Sequence, residues 1–303
     1  QLAVAYLKVS ETVKSENTFA SVAMDHLSND QLFMYAQSLK YNGKYAEADR
    51  VIAMYKERNP EDGRATELLN SLPKIEKILA EERYLIDEVD FNSEQSDFGP
   101  VAYNGDIYFV SARDLDYIIK REYAWKEAPY LNVLKTSEKE GLFSNPKLFS
   151  TEMRSMFHDG PVCFSKDGNE LYITRNINND FIDANFKKKK GYNNLIILKS
   201  EKQADGSWSK PEELPFNSNA YSCGHACLSS DGNRLYFTSN MPGSIGGTDI
   251  YYVDKEGDSW STPVNLGKDI NTEGDEMFPF IHQSGRLYFA SNGHVGVGGL
   301  DIF

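Results

Sequence analysis

Apolar residues recur at helical spacing through residues 1–83 of the chain, and from about Tyr84 the spacing changes to alternation. Leu32, Tyr35, Ala36 and Leu39, followed by Ala48, Ile52 and Tyr55, place one apolar stripe on each of two helices between Asp30 and Pro60. Asn42-Gly43-Lys44 supplies the turn between them, and Pro60 closes the second helix. Ala36 and Ala48 are small where two antiparallel helices must approach closely. A weaker copy precedes this hairpin, with one helix expected from Ala3 to Leu7 and another from Lys14 to His26. Residues 61–83 read as a third, capping helical segment.

The alternating part repeats itself. Gly99-Pro100-Val101 aligns with Gly160-Pro161-Val162, with Gly224-His225-Ala226 and, in a fourth copy, with Phe278-Pro279-Phe280. Each is followed by a turn (Asn104-Gly105, Asp167-Gly168, Asp231-Gly232, Ser284-Gly285) and by a strand carrying Tyr108, Tyr172, Tyr236 or Tyr288. A third segment begins near Asn132, Asn194, Asp249 or Asp301, and a fourth is marked by Phe143, Trp208 and Trp260. Four short strands per repeat, in the same order each time, are the anatomy of a β-propeller blade. The expected fold is therefore multidomain: α-helical hairpins over 1–83, then a propeller of four-stranded blades over 84–303. At least four blades begin, and the fourth stops in its third strand at Phe303, so the sequence is expected to continue in a longer parent chain.

Composition narrows the function. A net charge of -13 opposes a nucleic-acid surface, which requires a basic face. The 18 Tyr and 17 Phe suit a strand-rich molecule. No run of apolar residues is long enough to span a membrane. The chain opens at Gln1 without a Met or an apolar leader, so its true N-terminus is expected upstream, where any signal segment or lipid-anchor cysteine would lie. Of the three cysteines, Cys163 and Cys227 fall at matching repeat positions, and Cys223 and Cys227 are too far apart on one strand to join. Buried free thiols are the expectation.

Two stretches carry a family resemblance. Leu266-Gly267-Lys268-Asp269-Ile270-Asn271-Thr272-Glu273-Gly274-Asp275-Glu276-Met277-Phe278-Pro279-Phe280 is one. Leu287-Tyr288-Phe289-Ala290-Ser291-Asn292-Gly293-His294, with Gly298-Gly299-Leu300-Asp301-Ile302-Phe303, is the other. They resemble the WD40-like (PD40) propellers of OmpA-family, outer-membrane-associated proteins of Bacteroidetes. The hairpin from Asp30 to Pro60 resembles a tetratricopeptide repeat, and that order of domains resembles the PorE-like members of the family, which are associated with type IX secretion. The resemblance implies a periplasmic location at the outer membrane and protein partners in a secretion complex, with a link to gliding as a further expectation. In the family a carboxypeptidase-regulatory-like domain and an OmpA-type peptidoglycan-binding domain follow the propeller. Neither is present here, so peptidoglycan binding is implied for a parent protein and not for these residues.

Candidate chemistry is sparse. Counting two residues back from each repeat anchor gives Asp97, His158, Ser222 and Glu276, which are expected to ring one mouth of the propeller channel. There they would meet a ligand, ion or peptide; alternatively they cap strand ends by bonding backbone amides. Asn92-Ser93, Asn217-Ser218 and Asn271-Thr272 recur in the linkers and read as turn residues. Gly243–Gly247 and Gly293–Gly299 lack the Lys-Ser/Thr ending of a phosphate loop and read as interstrand turns, with Asp249 and Asp301 bonding their amides or, alternatively, holding a cation. Two excursions are candidate interfaces: Leu115–Pro129 with Tyr117, Tyr123 and Trp125, whose rings would otherwise pack over the blade, and a basic run of Lys187, Lys188, Lys189 and Lys190, which otherwise reads as a solvated loop. No G-x-S-x-G elbow, H-E-x-x-H pair, cofactor fingerprint or paired-cysteine metal spacing occurs. The reading is a non-catalytic binding scaffold without cofactor; a glycan or small-ligand sensor and an accessory propeller of a peptidase are the alternatives.

Overall fold

The computed structural model describes residues 1–69, 71–80, 87–115, 122–123, 128–155, 157–178 and 193–303, without the side chains of 64, 67, 72, 122, 123, 177 and 178. The N-terminal part is helical: α1 (Leu2–Lys8), α2 (Thr12–Ala20), α3 (Asn29–Tyr41), α4 (Tyr45–Arg58), α5 (Gly63–Leu68) and α6 (Leu72–Ala80). Ser28 starts α3 through a capping box with Gln31, so two donors that the helix itself cannot satisfy are bonded reciprocally. Gly43, at φ 72°, makes the left-handed turn into α4. The expected stripes face inward: Leu32, Ala36, Leu39, Ala48, Ile52 and Tyr55 are buried in one core with Ala3 and Phe19. Two departures from expectation occur. The second helix ends at Ala20, with a separate short turn at Met24–His26, and the capping segment is two helices.

Four antiparallel sheets follow, arranged as the blades of a β-propeller. Blade 1 is β1 (Asp97–Tyr103), β2 (Asp106–Ser111), β5 (Asn132–Lys139), β6 (Leu142–Phe143) and β7 (Lys147–Leu148); the β3–β4 ribbon (Glu122–Tyr123, Ala128–Pro129) stands apart in its excursion. Blade 2 is β8 (Asp159–Phe164), β9 (Glu170–Asn178), β10 (Asn193–Glu201) and β11 (Glu212–Glu213). Blade 3 is β12 (Cys223–Leu228), β13 (Arg234–Ser239), β14 (Asp249–Glu256), β15 (Ser259–Trp260) and β16 (Val264–Asn265). Blade 4 is β17 (Glu276–Ile281), β18 (Leu287–Ser291) and β19 (Asp301–Ile302). The first strands of consecutive blades, β1, β8, β12 and β17, lie side by side. Blades 1 and 2 share one apolar core, around Tyr108, Val162 and Ile173, and blades 2 and 3 share another, around Tyr172, Leu235 and Phe237. Alternation therefore works as a propeller requires: side chains on both faces of a blade are buried against its neighbours.

The helical unit is seated on blade 4. Glu273 lies against Gly63, and the loop before β19 lies against α3, where Tyr41 fills the space beside Gly298 and Gly299. A methyl group on Gly299 would overlap the Tyr41 phenol, and one on Gly63 would overlap the Glu273 carboxylate.

Candidate functional site

Strand register decides which residues are equivalent. Asp97, Asp159, Cys223 and Glu276 pair with Ser111, Arg175, Ser239 and Ser291 respectively, and each first strand then carries a bulge. Beyond the bulge Val101 pairs with Tyr108, Cys227 with Tyr236 and Phe280 with Tyr288, while Cys163 pairs with Tyr172. Aligning the chain on Gly99, Gly160 and Gly224 therefore slips by one residue in blades 2 and 3. The quartet Asp97, His158, Ser222 and Glu276 divides into two sets with different jobs, because a one-residue shift turns a side chain to the other face.

The first set faces its own linker. Asp97 accepts from the Ser93 amide (2.7 Å) and hydroxyl (2.8 Å), and Arg113 pairs with it at 3.0 Å. Asp159 accepts from the Ser155 amide (2.9 Å) and from Arg175 (2.7 Å). Glu276, with no exposed surface, accepts from the Thr272 amide (2.8 Å), the Thr272 hydroxyl (2.7 Å) and the Ser291 hydroxyl (2.6 Å). Burial pushes the Asp97 carboxyl upward, but bonds from Ser111, Ser93 and Arg113 outweigh it and hold the group below the usual range. At Asp159 burial wins over the Arg175 charge and raises the group. In blade 3 the buried Cys223 thiol replaces the acid.

The second set joins blades. His158 accepts on Nδ1 from the Leu131 amide (3.1 Å), Ser222 on Oγ from the Leu195 amide (3.1 Å), and Asp275 on Oδ1 from the Thr248 amide (3.1 Å). Each donor immediately precedes the same position of the third strand in the preceding blade. The backbone amides of His158, Ser222 and Asp275 in turn donate to Asn176, Asn240 and Asn292 of their own blades at 2.7–2.8 Å. Burial lowers the His158 pKa, as suits an imidazole acting as an acceptor.

The linker asparagines are also long-range fasteners. Asn217 bonds both the amide (3.0 Å) and the carbonyl (2.7 Å) of Ile197, and Asn271 bonds both groups of Ile250 (2.7 and 3.0 Å). Each side-chain amide stands where a neighbouring strand's peptide group would stand. Cys163 and Cys227 act similarly: their sulfurs accept from the amides of Leu228 (3.2 Å) and Ile281 (3.3 Å) in the next blade. All three cysteines are free thiols. Asp249 accepts from the Ile245 and Gly246 amides, and Asp301 from that of Gly298.

At the bulges the blades meet around the axis. Gly99, His225 and Phe278 take positive φ of 62°, 54° and 52°, a conformation costing a non-glycine residue about 1–2 kcal/mol. The His225 ring stacks on Phe278 (3.9 Å between centroids), and Phe278 meets Phe98 of blade 1 edge-on (6.2 Å). His225 Nδ1 is buried without a hydrogen-bond partner. The repeats put His225, like His158, near the predicted channel axis, and strand register sets it at the position held by Gly99, Pro161 and Phe278 in the other blades.

Tyr117, Trp125 and Lys187, Lys188, Lys189 and Lys190 lie outside the described residues, as does the side chain of Tyr123. Among the described residues, no three His, Cys, Asp or Glu side chains converge as metal ligands, and no helix is long and apolar enough to cross a membrane.

No protein-family model matches the chain, and no curated protein does. Similarity is found among solved structures. TolB from Acinetobacter baumannii is 14% identical, at TM-score 0.36, over 69% of this chain and 44% of its own. A thermostable family-43 glycoside hydrolase is 13% identical, at 0.38, over 67% of this chain and 69% of its own. A puromycin-hydrolyzing peptidase of Mycobacterium tuberculosis is 14% identical, at 0.40, over 71% of this chain and 30% of its own. The chain thus spans less than half the length of TolB and of the peptidase. The set mixes enzymes with TolB, and such distant likeness carries no activity across.

Proposed function

We propose that this chain is a non-catalytic binding platform of the periplasm, held near the outer membrane and serving as an accessory subunit of protein secretion. In a longer parent chain an OmpA-type domain would add attachment to peptidoglycan. The observation that carries the binding role is the seating of the helical hairpins on blade 4 through Tyr41, Gly299, Glu273 and Gly63. That contact presents a helical-repeat surface and a propeller in one fixed relation, which suits bridging two partners. The internal use of Asp97, Asp159 and Glu276 points the same way, since these acids brace linkers instead of facing a substrate. The secretion role rests on the resemblance of the Leu266–Phe280 and Leu287–Phe303 stretches to PD40 propellers of OmpA-family proteins. Affinity capture of the tagged protein from cross-linked native envelopes tests the reading. Envelope and secretion proteins are expected among the captured partners; their absence, with cross-linking shown to work on a neighbouring protein, would overturn it.

A further inference from the structure

Between blades 1 and 2 a cleft of about 590 Å³ opens to solvent on the outer part of the sheets. One wall is aromatic. Tyr108 and Phe149 meet edge-on at 5.1 Å, Phe149 lies 6.1 Å from Phe164, and Phe164 lies 6.0 Å from Trp208. Its rim is polar. Asp106 is bonded by Lys135 (2.6 Å) and Ser137 (2.5 Å), and the exposed Glu152 accepts from Ser150 (2.7 Å).

The propeller repeat explains part of this wall: Tyr172 and Trp260 stand at the positions of Tyr108 and Trp208 and lie 6.2 Å apart between blades 2 and 3. The matching position between blades 2 and 3 has the same acid–lysine–tyrosine arrangement, Glu170 with Lys199 at 2.8 Å and with the Tyr172 hydroxyl at 2.9 Å. Yet the cleft there is lined by charged and small polar groups, with Leu228 as its apolar member. Phe164 is a member of the wall that belongs to the first cleft, because Leu228 stands at its position in the next one.

We propose that the cleft between blades 1 and 2 binds a carbohydrate, with a pyranose ring against the aromatic wall and its hydroxyls on Asp106, Lys135 and Glu152. A sugar ring offers an apolar C–H face together with hydroxyls that both donate and accept. This wall and rim offer ring surfaces, carboxylate acceptors and an ammonium donor within one small volume. Addition of a peptide strand is disfavoured, because β2 is already paired on both edges, by β1 and β5. The inference is independent of the secretion reading and stands if that reading fails.

The test is titration of the whole chain with cellotetraose, chitotetraose and maltotetraose, followed by calorimetry and saturation-transfer NMR. At least one is expected to bind with a dissociation constant on the order of 1 mM or tighter. Trp208→Ala is expected to weaken binding at least about tenfold. Glu152→Gln, on the rim and outside the core, is expected to weaken it several-fold with an unchanged melting temperature. No binding of any of the three at about 10 mM, or binding that survives both substitutions, overturns the proposal. Binding of an aromatic-rich peptide in place of the sugars overturns it as well.

Discussion

His225 combines two unfavourable features, a positive φ and a buried Nδ1 without a partner, with a half-buried ring stacked on Phe278. Burial lowers its pKa from 6.5 to about 4. Because the folded value lies below the unfolded one, the unfolded chain binds more protons between the two. The stabilising contribution of the neutral ring is therefore complete above pH 6.5 and lost as pH falls toward about 4. Urea denaturation across that window is expected to show stability falling by about 1–3 kcal/mol from this group. His225→Asn, whose side chain tolerates the same backbone conformation, should flatten that part of the profile. Parallel profiles for parent and variant would mean that His225 does not titrate as described. Glu276 shows the opposite solution to burial, with three donors arranged around one carboxylate.

Blades are fastened to one another by side chains that imitate backbone. Asn271, 1% exposed, bonds both peptide groups of Ile250 and also Asn265 (2.9 Å). Asn271→Ala leaves the buried Ile250 amide without its acceptor, while the carbonyl keeps the Leu266 amide (3.1 Å), an expected cost of about 1–3 kcal/mol. Hydrogen exchange localises the effect: the Ile250 amide should exchange faster, whereas the Ile197 amide, held by Asn217, should keep its protection. Equal acceleration at both amides would show global destabilisation and count against the local fastener. The order of Asn-Ser/Thr linker, first strand and second-strand Tyr was readable in the sequence because it recurs. Its partners were not readable, since Ile250 lies 21 residues from Asn271 and only packing brings them together.

For the molecule as a whole, the contact between helices and blade 4 determines whether it behaves as one body. Gly299→Ala places a methyl group in the volume of the Tyr41 phenol. The expected outcome is loosened docking, seen as two calorimetric transitions where the parent shows one, and faster proteolysis between Ala80 and Asp97. An unchanged single transition would show that the two units are coupled elsewhere. The same variant bears on the proposed platform, since capture of two partners in fixed relation depends on this contact.

Order and periodicity made the large features legible from the sequence. A helical spacing ending before Tyr84 and a four-part β repeat dictate hairpins followed by blades, because one apolar face must be buried at each period. The equivalence of Cys163 and Cys227 followed from the same repeats. What the tertiary structure decided was register. Anchoring the alignment on glycine placed His158 and Ser222 beside Asp97 and Glu276, but a bulge places Asp159 and Cys223 there. Glycine marks places of close approach without fixing which residue takes the left-handed turn; in these blades Gly99, His225 and Phe278 do so. Hydrogen bonds across a sheet count residues from the paired strand, and that count exists only once the strands have met.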